Sequence, residues 1–262
     1  MSRFSSLGWL VVLVWSAAAP VIAGHPAAGD VRVGFGGVYR TGSWTPLTID
    51  FAEGGSVPQG VCAWVEDPDG QLVRSPVAVV ERSAGDPPRA RLTVRFGRPT
   101  GRVLIEEIAS ERADTVADRA TLPVRMLPPP IPATDNVMLV LGDLPAADRA
   151  SRLLAREDGA RPRVVALGGQ AVEGGAGGTT TAVGRSARDF DGADAIVVCG
   201  RAVAGLDPDM LRGIDQWVRL GGRMVFLAGE SAVDVQRGGT AAAAWLPGEV
   251  EKLVPLRRAG AL

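Results

Sequence analysis

Residues Asp189–Ser231, DFDGADAIVVCGRAVAGLDPDMLRGIDQWVRLGGRMVFLAGES, decide how this chain is read. Ala195–Cys199 (AIVVC) is a short, continuous apolar run, the pattern of a strand covered on both faces of a parallel sheet. Asp207 then offers an N-cap and Pro208 a first helical residue. Met210, Leu211, Ile214, Trp217 and Val218 follow at helical spacing on one face. Gly221 suits a left-handed helix stop, Gly222 extends the turn, and Met224–Ala228 (MVFLA) reads as a second buried strand. A strand, a helix and a strand in this order predict a right-handed crossover within a mainly parallel sheet.

Upstream, the same alternation continues. Asn136–Leu141 (NVMLVL) and Arg163–Leu167 (RVVAL) are two more strands, with a helix expected over Asp143–Arg156. Gly168–Thr181 (GGQAVEGGAGGTTT) reads as a flexible loop, because it lacks the Gly-Lys-Ser/Thr ending of a phosphate-binding loop. Before residue 128 the period changes. Asp30–Phe51 alternates around a turn at Arg40-Thr41-Gly42-Ser43, a hairpin signature. Val61–Glu66, Gln71–Val80, Ala90–Phe96, Gly101–Ile108 and Ala120–Met126 add strands, with turn signals about every ten residues. The three glycines Gly34, Gly36 and Gly37 precede no helix, so they read as a bulge or close strand packing and not as a nucleotide loop.

The expected architecture is therefore α+β in two domains: an N-terminal antiparallel, Ig-like β-sandwich (30–127) and a C-terminal α/β domain with a mainly parallel sheet (135–232). Leu127–Thr134 (LPPPIPAT) supplies the boundary, a semi-rigid, proline-rich linker over 128–134. The tail 233–262 shows no strand or helix of its own. That fits either a chain that continues in a longer protein or a loosely packed end.

Composition narrows the function classes. The 262 residues are 46% hydrophobic and 22% charged, which is globular, and the formal net charge of −1 offers no basic field for nucleic acid. Residues 1–23 have the form of a signal peptide: Arg3, the apolar run Leu7–Ala19, a break at Pro20 and the small-residue ending Val21-Ile22-Ala23. An uncleaved anchor is the alternative, and either one exports the chain. Only two cysteines accompany this, Cys62 and Cys199, each within a strand-like run, and both read as buried free thiols.

At Asp191–Ser231 the chain resembles the class I glutamine amidotransferase-like fold. The residues that carry the resemblance are the strand entry Asp191-Gly192-Ala193-Asp194-Ala195-Ile196-Val197-Val198 and the helix end Ile214-x-x-Trp217-Val218-x-x-Gly221-Gly222-Arg223-Met224-Val225. The likeness extends over about residues 136–232. With the preceding sandwich and its Gly42-Ser43-Trp44-Thr45-Pro46 stretch, the whole looks like exported bacterial envelope proteins. The resemblance implies a nucleophilic cysteine just after the last strand. The matching position here is Ala228-Gly229, so the implied domain is catalytically silent, and Cys199 lies one strand too early to replace it.

Other chemistry is thin. Gly229-Glu230-Ser231-Ala232-Val233 misses the last glycine of a serine elbow, and the only histidine, His25, sits at the signal end. Ser231 reads as a helix cap, with Lys252 the only other candidate base. Asp189, Asp191 and Asp194 mimic part of a calcium loop but lack its terminal glutamate, and read as a turn. No catalytic, cofactor-binding or metal-binding residue is assigned. The expected role is binding or assembly with an envelope partner or ligand, through the sandwich edges or the loops after Leu141, Leu167, Cys199 and Ala228. Two alternatives stand beside it: a hydrolase or transferase using Ser231 or Cys199, and a carbohydrate-binding module using Trp44 or Trp64.

Overall fold

Alternation in the first half of the chain becomes two antiparallel sheets that bury their facing sides. In the computed structural model, which describes residues 28–52, 57–83, 85–108, 124–144, 163–167 and 184–252, Ala28–Val33 (β1), Trp44–Phe51 (β2) and Arg89–Arg95 (β6) form the first sheet in the order β1-β2-β6. Gly60–Glu66 (β3), Leu72–Arg74 (β4), Ala78–Val79 (β5), Arg102–Ile108 (β7) and Val124–Met126 (β8) form the second, ordered β4-β3-β7-β8 with β5 also on β3. Leu47, Ile49, Leu92 and Val94 from one sheet meet Val61, Ala63, Val103 and Ile105 from the other in one core. Period-two patterning thus sorts these residues to one face.

Two details differ from the sequence reading. The first hairpin closes through a long connection, in which Phe35 and Val38 make an antiparallel bridge. Gly34 is required there: at φ +58° it brings the chain so close that a Cβ would lie 2.1 Å from the Val38 carbonyl oxygen. The single strand expected over Gln71–Val80 is broken into β4 and β5. Pro76 has no N–H for the ladder, and the Ser75 hydroxyl instead accepts from the Ala63 amide at 2.9 Å.

The second half forms a four-stranded, wholly parallel sheet. Its strands are Val137–Leu141 (β9), Arg163–Leu167 (β10), Ala195–Cys199 (β11) and Met224–Leu227 (β12), ordered β10-β9-β11-β12. The molecule is therefore α+β and strand-rich, with two antiparallel sheets and one parallel sheet. The helix Pro208–Arg219 (α1) is capped by Asp207, whose carboxylate accepts from the Asp209 amide at 2.9 Å. Its Met210, Leu211, Ile214 and Trp217 are buried on the parallel sheet with Leu139, Ile196 and Val198. Gly221, at φ +104°, ends the helix, and Gly222 lies so close beneath Trp217 that a Cβ would reach 2.3 Å from the ring.

β12 is not fully buried as the apolar run suggested. It pairs with β11 alone among the described residues, and Val225 and Leu227 stay 51% and 42% exposed. The tail also differs from expectation. Ala232–Arg237 forms a short helix (α2), and Ala241–Trp245 a 3-10 turn. Val235 and Ala242 are buried in the parallel-sheet core, and Trp245 meets Phe226 edge-on at 5.6 Å. These segments lack a long apolar stripe, so only the surface they cover shows that they belong to the core.

The proline-rich stretch is pinned along the first hairpin. Ile131 N donates to the Tyr39 carbonyl at 2.9 Å, and the Tyr39 hydroxyl donates to the Pro128 carbonyl at 2.9 Å. The signal segment 1–23, the glycine-rich loop at 168–181, most of the helix expected over 143–156 and the last ten residues lie outside the described residues. No helix among the described residues is long and apolar enough to cross a membrane.

Candidate functional site

In an open parallel sheet the chemistry normally sits where the strand order reverses, at the carboxyl ends of the strands. Here that place lies between β9 and β11. It is packed shut. A Cβ on Gly142, at φ +101°, would lie 2.8 Å from the Ala202 Cβ and 2.9 Å from the Cys199 Cβ. A Cβ on Gly200 would lie 2.7 Å from the Ala228 carbonyl oxygen.

Cys199 is partly exposed, not buried as its run suggested, and its thiol donates to the Asp143 carbonyl at 3.5 Å. Burial first, and the Asp143 charge second, push this thiol above its ordinary pKa. A nucleophilic cysteine needs the opposite shift. Cys62 is fully buried, and burial also raises its thiol.

Ser231 occupies the position before α2, but its hydroxyl makes no capping hydrogen bond. Its backbone at φ −84°, ψ −1° is helical, while a capping side chain needs an extended backbone beneath it. The cap expected from the sequence is therefore not formed. Neighbouring Glu230 pairs with Arg201, so it does not serve the serine. No described side chain hydrogen-bonds the Ser231 hydroxyl, and His25 lies outside the described residues.

The aspartates of the organising stretch have a different task. Asp189 is buried and accepts from the Arg185 and Ser186 amides and the Ser186 hydroxyl, each at 2.9 Å, and from the Thr93 hydroxyl. Asp191 accepts from the Trp44 amide at 3.0 Å. Asp194 accepts from the Val137 amide at 2.7 Å and from the Arg40 guanidinium. Three carboxylates thus face three separate partners, and no described group of three acidic, histidine or cysteine side chains could hold a metal. Two of the partners, Thr93 and Trp44, belong to the first antiparallel sheet, and Arg40 belongs to its hairpin connection. Glu81 adds an ion pair with Arg185 at 2.7 Å. The Ser186-x-x-Asp189 spacing is a capping box that was readable in the sequence. The cross-sheet partners were not.

Open space follows this seam. A cleft of about 300 Å³ lies between β2, β6 and Gly184–Asp189. A second, of about 660 Å³, runs from Trp44 past Arg91–Thr93 to Gln216 and Leu220, with Ser75–Ala78 opposite. Arg188 lies over the Trp44 ring at 5.4 Å. Trp64, by contrast, is 8% exposed and donates through Nε1 to Glu106 at 2.8 Å. The two tryptophans therefore part company, one in the core and one at a cleft. Comparison with protein-family models, curated proteins and solved structures finds no match for this chain.

Proposed function

We propose that this chain is an exported cell-envelope protein that binds or assembles with another envelope component. It is read as an Ig-like sandwich (30–127), a proline-rich connection (128–134) and an amidotransferase-like α/β unit (135–232) that lacks that family's catalysis. The observation that carries the reading is the position of open space: the clefts follow the seam between the first antiparallel sheet and the α1 side of the parallel sheet. At the strand ends, where a catalytic centre of this architecture would be built, Gly142 closely approaches Cys199 and Ala202 among the described residues.

The raised Cys199 thiol and a Ser231 hydroxyl without a hydrogen-bond partner among the described residues weigh against the hydrolase alternative. The carbohydrate alternative is left with Trp44, which Arg188 already covers. Two measurements test the proposal. Mass spectrometry of the chain recovered from a periplasmic fraction should give a product that begins after Ala23; recovery in the cytoplasm with residues 1–23 intact would sink the export part. A fluorophosphonate and an iodoacetamide probe should label the exported protein no faster than free serine or cysteine. Fast labelling that disappears in Ser231→Ala or Cys199→Ala would replace the proposal with the hydrolase or transferase.

A further inference from the structure

The first antiparallel sheet ends on β6, and the direction of that strand's backbone groups can be worked out from one proline. Pro46 of β2 has no N–H, and its carbonyl accepts from the Gly34 amide at 2.8 Å, on the β1 side. Its partner across β6 is Thr93. Neither backbone group of Pro46 points at β6, so Thr93 belongs to a non-hydrogen-bonded pair, and its own N–H and C=O face away from β2. Alternation places those of Arg91 on the same outer side. Arg89, two residues earlier, agrees: its N–H and C=O exchange hydrogen bonds with Glu81 at 2.9 and 2.7 Å.

Beyond Arg89 the edge is open among the described residues. The amides and carbonyls of Arg91 and Thr93 have no hydrogen-bond partner among the described residues. Two donors and two acceptors, about 7 Å apart along the strand, therefore face away from β2, and Arg91, Leu92 and Thr93 line the larger cleft. The larger cleft is walled by Pro76 and Val77 on one side and by Arg188 and Leu220 on the other. Val77 and Leu220 are 52% and 80% exposed, so both rims are apolar. Its charged lining residues among those described are Arg91 and Arg188, with no described carboxylate. Arg91 is paired with Glu81, yet its buried Nε has no hydrogen-bond partner among the described residues, and Arg188 makes no described ion pair.

We propose that the β6 edge binds an extended, acidic peptide segment of a partner protein, which adds as a strand alongside Arg91–Thr93 between the Val77 and Leu220 rims. This rests on the binding reading above and names its surface and the chemistry of its partner. Main-chain hydrogen bonds to the two open residues supply affinity for any extended chain, and the side-chain walls supply selectivity. An apolar residue packs against Val77 or Leu220, and an aspartate or glutamate faces Arg188. The same walls keep a second flat sheet from approaching, which is how an unpaired edge avoids indiscriminate pairing.

The test uses the purified full chain and a displayed nonapeptide library of alternating valine and randomised positions. Selection should enrich aspartate or glutamate at the randomised positions. The best binder, added back as a synthetic peptide, should slow amide hydrogen exchange at Arg91 and Thr93. N-methylating its alternate backbone nitrogens should weaken binding at least tenfold. Arg188→Glu, on an exposed side chain, should shift selection toward lysine and arginine. No enrichment, protection mapping away from β6, or indifference to N-methylation each overturns the edge assignment. In-cell cross-linking of the exported chain separates the two levels. Cross-links to an envelope protein from other surfaces, together with no protection at β6, remove this inference and leave the binding reading standing. Their absence removes both.

Discussion

Arg40, in the connection between β1 and β2, holds the carboxylate of Asp194 at the entry to β11, 154 residues further along the chain. Its Nη1 lies 3.3 Å from Oδ1, and Nη2 reaches both the other carboxylate oxygen and the Asp135 carbonyl. The Arg40 side chain is 13% exposed and that of Asp194 40%. One side chain of the first hairpin thereby fixes both the chain entering β9 and the chain entering β11. The antiparallel and parallel sheets are joined through this contact and through Thr93–Asp189 and Trp44–Asp191.

Acid should loosen this junction. Burial, the largest influence, pushes the Asp194 carboxyl up, but the Arg40 hydrogen bond, the Val137 amide and the Arg40 and Arg223 charges together hold it below its ordinary pKa. A carboxyl depressed on folding contributes stability that is complete above its unfolded pKa of about 3.9 and fades as the pH falls through the lower folded value. Thermal unfolding followed from pH 7 to pH 2 should show this loss below about pH 4. Asp194→Asn should be destabilised by about 2 kcal/mol at pH 7, since it leaves Arg40 without its countercharge, and should show a shallower acid limb. An unchanged acid limb in Asp194→Asn would refute the assignment.

Phe35 belongs by sequence to the antiparallel half and by packing to the parallel half. It is 3% exposed, stacks on Phe190 at 6.2 Å between centroids and joins the cluster of Trp217 and Ile214. Phe35→Ala should therefore cost about 3–5 kcal/mol, the usual penalty for emptying a buried aromatic site. Urea unfolding read through tryptophan fluorescence measures it. A cost below about 1 kcal/mol would mean that Phe35 is not seated in that core.

Gly222 needs its missing side chain for space, because its φ lies outside the left-handed region that favours glycine. A Cβ there would lie 2.3–2.5 Å from three atoms of the Trp217 ring. Gly222→Ala should destabilise by about 1–3 kcal/mol through overpacking and should shift the Trp217 emission. Gly221→Ala, which meets no atom within 4 Å, should instead suffer only from its φ of +104° and leave the emission unchanged. Equal emission changes in both variants would contradict the packing argument.

The two thiols should differ in a defined order. Cys199, partly exposed with a raised pKa, should alkylate with iodoacetamide more slowly than glutathione at pH 7.5 and accelerate as the pH rises toward 10. Cys62, 0% exposed, should react only after unfolding in guanidinium. Peptide mapping after alkylation reads both. Rapid modification of Cys199 at neutral pH would reopen it as a nucleophile.

Much of the framework was legible because it follows from local rules. The Asp207–Pro208 start, the Gly221 stop and the 3.6-residue apolar face of α1 each depend on residues within one turn of one another. The apolar runs of β9 and β11 likewise announce burial on both faces. The break at Ser75-Pro76 was visible in the sequence, but its meaning depended on whether that proline faced a ladder partner. The core role of α2 and Ala241–Trp245 was hidden, since short segments without a stripe become apolar elements only when a neighbouring surface receives them.

The candidate surface was less legible than the framework. Trp44 and Trp64 look alike in sequence, each on an alternating strand, yet one borders a cleft and the other is buried beside Glu106. Asp189, Asp191 and Asp194 resemble a fragment of a cation loop until their partners are known.

By itself, the amino-acid sequence determined the strands of the parallel sheet, most of those of the antiparallel sheets and the capped helix, because periodicity, caps and glycine conformations act over a few residues. Only the tertiary structure decided what the three aspartates hold, where Phe35 packs and which edge of β6 is left open. Those outcomes depend on groups about 95 to 155 residues apart meeting at a few ångströms, and no local pattern in the sequence encodes such a meeting.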